Sequence, residues 1–566
     1  MAEKIYDLSG SGGLITNNFG DKTRNQQDLN LRYIGGDGQF VDGIFNPFKK
    51  EGYLSPANQS YVRITPTGNQ TNYGSTPRGF LQYKRLVAGD PDETYLIAGE
   101  RLWVATGDNF TTFTSDATDV NNGSNIWPTD IETYFFENGA TPLVCFLSDE
   151  AAFTDGRLRA YRPITDIYDG LMIGLTLDEY SSLVVADNGF LYILADTRVH
   201  KYDGTPVSGT GLRTTNVLQF PSAYRTRGGI DYRGNLFIGI VGNEKEGLNY
   251  RSGSIRNNDL TTSTNPHLCG VYVWDRLSTQ VRMRDFIQFP NMRNLTGFHI
   301  SPMGTLRVFG LTNYRTTQLL EFAGSTGGFR VIREFGPRAY PAQPKGVGIS
   351  NNVTYWLGQD GFLHALGKVS FDKPEIYTKL LDVNAVSAAI SGTSTDVMTQ
   401  AGAILCTAFQ NTGQSNTANR IDHEAILIGF TRTGSNHEVI RYFPHTSEVL
   451  QSVTPVANQG NIYTKVDYFK KLSTIHNLTM YCAPTATGSN VIATVKLYIN
   501  QQTTPFMTKD ITRDMASKGY ITLELNKPYV NAFQIEIEYP TNHTLGTNDF
   551  SPSLAILDHT ETSTIR

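Results

Sequence analysis

Apolar residues in this chain seldom recur at helical spacing. They come in short runs, or alternate with polar residues, between clusters of Gly, Asp and Asn. The clearest unit is Leu183-Val184-Val185-Ala186, a turn at Asp187-Asn188-Gly189, then Phe190-Leu191-Tyr192-Ile193-Leu194, and Val199-His200-Lys201-Tyr202 closed by Asp203-Gly204. Asn-Gly and Asp-Gly pairs supply the positive φ angles that two-residue hairpins require. Similar units run through Ile230, Asp231 and Leu236 to Trp274, through His299 and Leu306 to Phe322, and through Tyr355, Asp360-Gly361 and Phe362 to Ala365. Weaker copies lie on either side, around Leu96, Val144 and Leu405. The innermost strands recur about every 50 residues, with one longer step near residues 244 to 268, which is the length of a four-stranded propeller blade. Radial repetition also removes the sticky open edges of a linear array of short strands. The expectation is an all-β fold with a β-propeller of about seven blades, six to eight being compatible with the spacing. A pair of β-sandwiches is the competing arrangement.

The pattern changes at both ends. After residue 444 longer strands alternate strictly, as in Val495-Lys496-Leu497-Tyr498-Ile499 and Phe533-Gln534-Ile535-Glu536-Ile537-Glu538-Tyr539. Such alternation marks a sheet buried on one face and wet on the other. An antiparallel β-sandwich with its connector is therefore expected over 445–566, with Thr512–Lys518 as the one short helical possibility in that part. Before residue 81 Gly, Asn and Pro interrupt every apolar run, yet single anchors recur. This reads as an extended arm over 1–80, laid either on its own body or on a neighbouring subunit; a disordered tail is the alternative. The propeller then occupies 81–444. The candidate assembly anchors are Phe40, Ile44, Phe45, Phe48, Tyr53 and Leu54.

Composition narrows the function classes. The 566 residues carry a formal net charge of −5, with charged residues at 18% and aromatic residues at 11%. Disorder of the whole chain is excluded by the aromatic content. No basic block points to nucleic acid or to an anionic membrane surface. No apolar run approaches the ~18 residues that span a bilayer, so no membrane insertion is expected. The opening Met1-Ala2-Glu3-Lys4-Ile5-Tyr6-Asp7 lacks the apolar core of a secretory signal, which predicts synthesis in the cytoplasm without Sec export. Cys145, Cys269, Cys406 and Cys482 are scattered and read as buried thiols.

Catalytic chemistry finds no pattern. The ten histidines form no H-x-H or H-E-x-x-H group, and no G-x-S-x-G elbow or phosphate-cradling loop is present. His200, His299 and His364 read as packed or rim residues of blades. Asp187, Asp231 and Asp360 appear at equivalent turns of different units. They could gather as a calcium or carboxylate constellation, but recurrence once per unit favours turn residues that accept amide hydrogen bonds. No cofactor and no catalytic residue is expected.

The run Gly35-Gly36-Asp37-Gly38, then Gly43-Ile44-Phe45-Asn46-Pro47-Phe48 and Gly52-Tyr53-Leu54-Ser55-Pro56, resembles the opening of certain tailed-bacteriophage virion proteins. In those a Gly-rich arm precedes a propeller and a terminal β-sandwich. The nearest role is the tail nozzle or tail-tube-like protein of short-tailed phages. The resemblance implies a non-enzymatic virion protein, made in the host cytoplasm, that assembles with copies of itself in a ring. Its other partners would be tail or portal-adaptor proteins, with DNA only in passage and not specifically bound. The arm would thread onto an adjacent subunit, so removal of residues 1–56 is expected to leave a folded monomer that no longer assembles. The alternative is a peripheral tail propeller that binds or cleaves host surface glycan.

Overall fold

The computed structural model describes residues 2–9, 13–14, 40–48, 53–57, 60–67, 72–83, 93–99, 101–107, 110–115, 130–134, 143–149, 156–162, 167–177, 180–202, 216–221, 224–242, 268–312, 316–324, 327–343, 345–369, 374–410, 422–444, 454–455, 461–540 and 550–561. The Gly35–Gly38 run and the long step at 244–267 lie outside the described residues.

Five antiparallel sheets of four strands follow one another along the chain. They begin with Ile131–Tyr134 (blade 2), Ser182–Val185 (blade 3), Tyr224–Tyr232 (blade 4), Met292–Ile300 (blade 5) and Val347–Ser350 (blade 6). A nine-stranded sheet holds two more blades joined at their outer edges. One is Gly79–Tyr83, Glu93–Ala98, Arg101–Thr106 and Thr112–Ser115 (blade 1). The other is Met398–Gln410, Asp422–Arg432 and Asn436–Tyr442 with Ser60–Thr67 as its fourth strand (blade 7). The first strand of each blade packs on the first strand of the next, from blade 1 round to blade 7 and back to blade 1. The fold is a closed seven-bladed propeller.

Local chemistry forms the blades. The turn after Val185 has Gly189 at φ 79° and closes with Gly189 N–H donating to the Ala186 carbonyl at 3.0 Å. In blade 4 Arg233 and Gly234 both have positive φ between the paired Tyr232 and Asn235, and in blade 6 Asn351 and Asn352 do the same. These are the tight turns that match strand twist. Between blades the apolar residues of facing sheets interlock, as Leu194, Ile238, Tyr192 and Trp274 do between blades 3 and 4.

One helix, Val383–Ser391, joins blade 6 to blade 7 and was not expected from the strand pattern. Asp382 caps it, its carboxylate accepting from Asn384 N–H at 2.9 Å and Ala385 N–H at 3.2 Å, and Gly392 at φ 71° ends it. The short helix expected near Thr512 is present as Arg513–Ala516.

The C-terminal unit is one eight-stranded antiparallel sheet folded over on itself. Its long strand Tyr520–Glu538 serves both layers: the first part pairs with Asp467–Cys482, the last with Val491–Ile499 and Asn461–Thr464. The bend falls where Asn526 and Tyr529 take positive φ. Buried Leu478, Met480, Leu523 and Leu557 of one layer meet Val495, Leu497, Ile535 and Ile537 of the other. The expected alternation is realised, with Lys496 and Tyr498 turned outward onto Glu536.

The N-terminal segment is extended, but it is built into this chain rather than held apart from it. Ala2–Asp7 is an edge strand on Pro552–Glu561, and Phe40–Asp42 pairs with Asn461–Thr464. It also grips the outer strand of blade 6, Leu14 N–H donating to Tyr377 O at 2.8 Å and Phe45 N–H to Lys379 O at 3.1 Å. Ser60–Thr67, within the expected arm, completes blade 7 and pairs in parallel with Thr112–Thr114 of blade 1. Blades 1 and 7 are thus locked together at their outer strands by a strand that precedes both in sequence.

Candidate functional site at the propeller axis

Asp130-Ile131-Glu132 opens the inner strand of blade 2. Strand alternation sends both carboxylates to one side while Ile131 enters the core. Asp130 is fully buried, one oxygen accepting from Ile131 N–H and the other from Leu183 N–H of blade 3, both at 2.8 Å. Burial pushes its carboxyl up to about 6, against the opposing pull of Lys345 and the two amides.

Lys345 lies just before the inner strand of blade 6. Its ammonium reaches Glu132 Oε2 at 2.5 Å. Blades 2 and 6 are not neighbours: blades 7 and 1 separate them on one side, and blades 3, 4 and 5 on the other. The ion pair therefore crosses the axis. Burial works against the charge on Lys345, yet Asp130 and Glu132 together hold its pKa above the ordinary lysine value. In blade 4 the buried Arg227 lies with its guanidinium 4.3 Å from the Tyr180 ring, and Arg225 pairs with Asp196 at 2.6 Å. Both oxygens of Asp130 are occupied by amides and Glu132 is neutralised by Lys345. In this arrangement they join blade 2 to blades 3 and 6.

The three turn aspartates do not share a position. Asp187 and Asp231 come together across blades 3 and 4: Asp187 N–H donates to Asp231 Oδ2 at 2.6 Å, and Arg276 binds both carboxylates. Burial raises the pKa of Asp231 despite Arg276. Asp360 belongs to the second hairpin of blade 6, not the first. Since successive antiparallel turns lie at opposite ends of the strands, Asp360 sits on the other face of the propeller. There its Oδ1 accepts from His364 Nε2 at 2.9 Å. The expected equivalence fails because Tyr355–Leu357 is a second strand, the inner one being Val347–Ser350. Among the described residues no group of three or more His, Cys, Asp or Glu is placed to hold a metal ion.

His200, His299 and His364 are all buried. Burial lowers the pKa of His200 and of His299 to about 4. His364 stacks with Trp356 and with Tyr377, donor or acceptor to the Tyr377 hydroxyl at 2.8 Å.

Most of the arm anchors are buried within this chain. Phe40, Phe45 and Leu54 are fully buried in a cluster that also holds Trp356 and Tyr377 of blade 6 and Ile462, Leu478 and Leu557 of the C-terminal unit. Ile44 enters the core between blades 6 and 7, with Phe48 packed against it, and Tyr53 is half-buried. The apolar positions are used within the same chain: Phe40, Phe45 and Leu54 in the seam between propeller and C-terminal sheet, Ile44 and Phe48 between blades 6 and 7. The Asp130, Glu132 and Lys345 group was not anticipated. The D-x-E spacing ahead of a strand was its one local signal, and nothing near residue 132 points to residue 345.

No family model and no curated protein matches the sequence. Similar solved structures include two of exo-beta-1,3-galactanase from Phanerochaete chrysosporium with beta-1,3-galactotriose, each 10% identical with a TM-score of 0.28. They cover 89% and 91% of this chain and 100% of their own. At this identity and score the likeness says nothing about chemistry.

Proposed function

We propose that this chain is a non-enzymatic structural component of a phage tail. It assembles with copies of itself and neighbouring tail proteins into a ring that forms or supports the DNA ejection channel. The observation that carries this reading is the Lys345–Glu132 pair across the axis, at 2.5 Å. A propeller whose central passage is crossed by an ion pair has no bore for a duplex, so on this reading a duplex passes between copies rather than through one. The order of parts, a glycine-punctuated N-terminal segment followed by propeller and sandwich, supports the same reading through the resemblance to nozzle-type proteins. The weak net charge also suits a wall that DNA slides past without being gripped.

The test is to purify particles of the phage that encodes the chain and measure its abundance by quantitative mass spectrometry. It should be present in a fixed multiple of the portal protein, and particles made without it should leak DNA. Absence from purified particles overturns the proposal. Binding or hydrolysis of host polysaccharide by the full chain would instead favour the peripheral glycan reading.

A further inference from the structure

Four strands of the C-terminal sheet, in the order Tyr520–Glu538, Asp467–Cys482, Pro552–Glu561 and Ala2–Asp7, turn one face inward and one outward. Their register places side chains in rows. The inward rows are Ile521, Met480, Ala555 and Tyr6, then Leu523, Leu478 and Leu557 with Lys4 at the edge. The outward rows are Tyr520, Tyr481, Leu554 and Asp7; then Thr522, Thr479, Ile556 and Ile5; then Glu524, Asn477, Asp558 and Glu3.

The outward face is therefore divided. Its upper part carries an apolar cluster beside Asp7, Thr479 and Thr522: Tyr520 is 47% exposed, Tyr481 42% and Ile5 63%, with Leu554 and Ile556 partly exposed. Its lower row is acidic. Glu3 stands directly opposite Asp558 on neighbouring strands, an arrangement that costs stability unless a cation covers it. Glu3, Glu524 and Asp558 have no ion-pair partner among the described residues. Lys518, two residues before Tyr520, is exposed beside the upper rows, and Lys4, next to Glu3 in sequence, is turned to the other face.

The other end of the same sheet has the complementary character. Tyr468, Leu472 and Tyr529 are exposed there, together with Lys470, Lys471 and Lys527. Its acidic groups are Glu561, which pairs with Lys471 at 3.3 Å, and Asp467, which pairs with Lys4 at 2.8 Å. From Leu472 to Tyr481 the strand rises about 30 Å at roughly 3.3 Å per residue, so the tyrosine row and the lysine-bearing end lie at opposite ends of the sheet with the acidic row between them.

We propose that the acidic, tyrosine-bearing face of one copy docks the lysine-bearing, apolar end of the next copy. Aromatic and aliphatic groups form the centre of the contact, and Lys470, Lys471 and Lys527 neutralise the row of Glu3, Asp558 and Glu524. Because two different surfaces meet, the contact is head-to-tail, the type that closes into a ring when the rotation allows. This proposal rests on the reading of the chain as a self-assembling subunit and names the surface that would do it.

The test uses the full chain and sedimentation velocity at low and high salt. One variant carries Lys470→Glu, Lys471→Glu and Lys527→Glu; a second carries Glu3→Lys, Glu524→Lys and Asp558→Lys. Each alone should raise the concentration needed for self-association by roughly tenfold or more, since every contact then opposes like charges. An equimolar mixture should restore association, because each reversed surface then meets a complementary one. A third variant, Tyr481→Ser with Tyr520→Ser, weakens association without altering charge and guards against a charge variant that fails to fold. Wild-type association that ignores all three variants overturns the docking pair while leaving ring assembly standing. A wild-type chain that stays monomeric overturns the docking pair as well, and particle composition then decides the ring reading by itself.

Discussion

Asp130 and the buried histidines draw opposite consequences from the same burial. His200 and His299 are held near a pKa of about 4, below an unfolded value of ~6.5. The unfolded chain therefore binds more protons between these values, and stability falls as pH drops through that window. Asp130 is raised to about 6, above an unfolded value of ~3.9, so the folded chain binds the extra proton and stability falls as pH rises from roughly 4 to 6. Two histidines outweigh one aspartate, so these groups together should lower the melting temperature on going from pH 7 to pH 5. His299→Gln should flatten that slope by up to about 3 kcal/mol over the full window, whereas Asp130→Asn should steepen it. Denaturant titration of each variant at several pH values measures both signs; unchanged slopes would refute the burial argument. In the sequence His299 reads only as a packed or rim residue and Asp130 carries no signal, because burial is what makes them unusual and burial of a particular residue is a tertiary fact.

At the level of elements, the alternation of short apolar runs with Gly and Asn turns was enough to lay out the blades. Gly189, Gly234, Asn351 and Asn352 all occupy the positive-φ positions that such turns demand. The helix Val383–Ser391 was less legible, since Val383, Val386 and Ile390 give only two turns of period and follow directly on a strand. The N-terminal segment was legible as extended but not in its destination. Gly13 shows why it lies where it does: at φ 65° an added Cβ would come within 2.7 Å of Tyr377 O and 2.8 Å of Ile376 Cγ2. Gly13→Ala should therefore cost about 2 kcal/mol through strain and displacement from blade 6. Equilibrium unfolding checks this, and a loss below a few tenths would show that the segment does not press on the blade.

For the whole molecule, the closing strand and the buried anchors make the N-terminal segment part of the stability of both units. Phe45 packs edge-on against Phe40, 5.1 Å between ring centroids, in the seam between blade 6 and the C-terminal sheet. Phe45→Ala should lower stability by about 3–5 kcal/mol. Removal of residues 1–56 should expose that seam and destabilise the monomer itself, which reverses the expectation that the monomer would survive intact. Calorimetry with limited proteolysis distinguishes the two: an unchanged melting temperature after truncation would restore the picture of a free assembly arm.

The all-β class, the propeller-length repeat and the alternating C-terminal strands were written in the chain itself, because strand periodicity and turn φ angles depend on neighbours a few residues apart. The tertiary structure alone decided that Ser60–Thr67 closes blade 7, that Phe40 and Phe45 are spent inside their own chain, and that Lys345 meets Glu132 across the axis. Those outcomes depend on which surfaces come within a few ångströms after the ring has closed. Residues hundreds of positions apart leave no local trace of that choice.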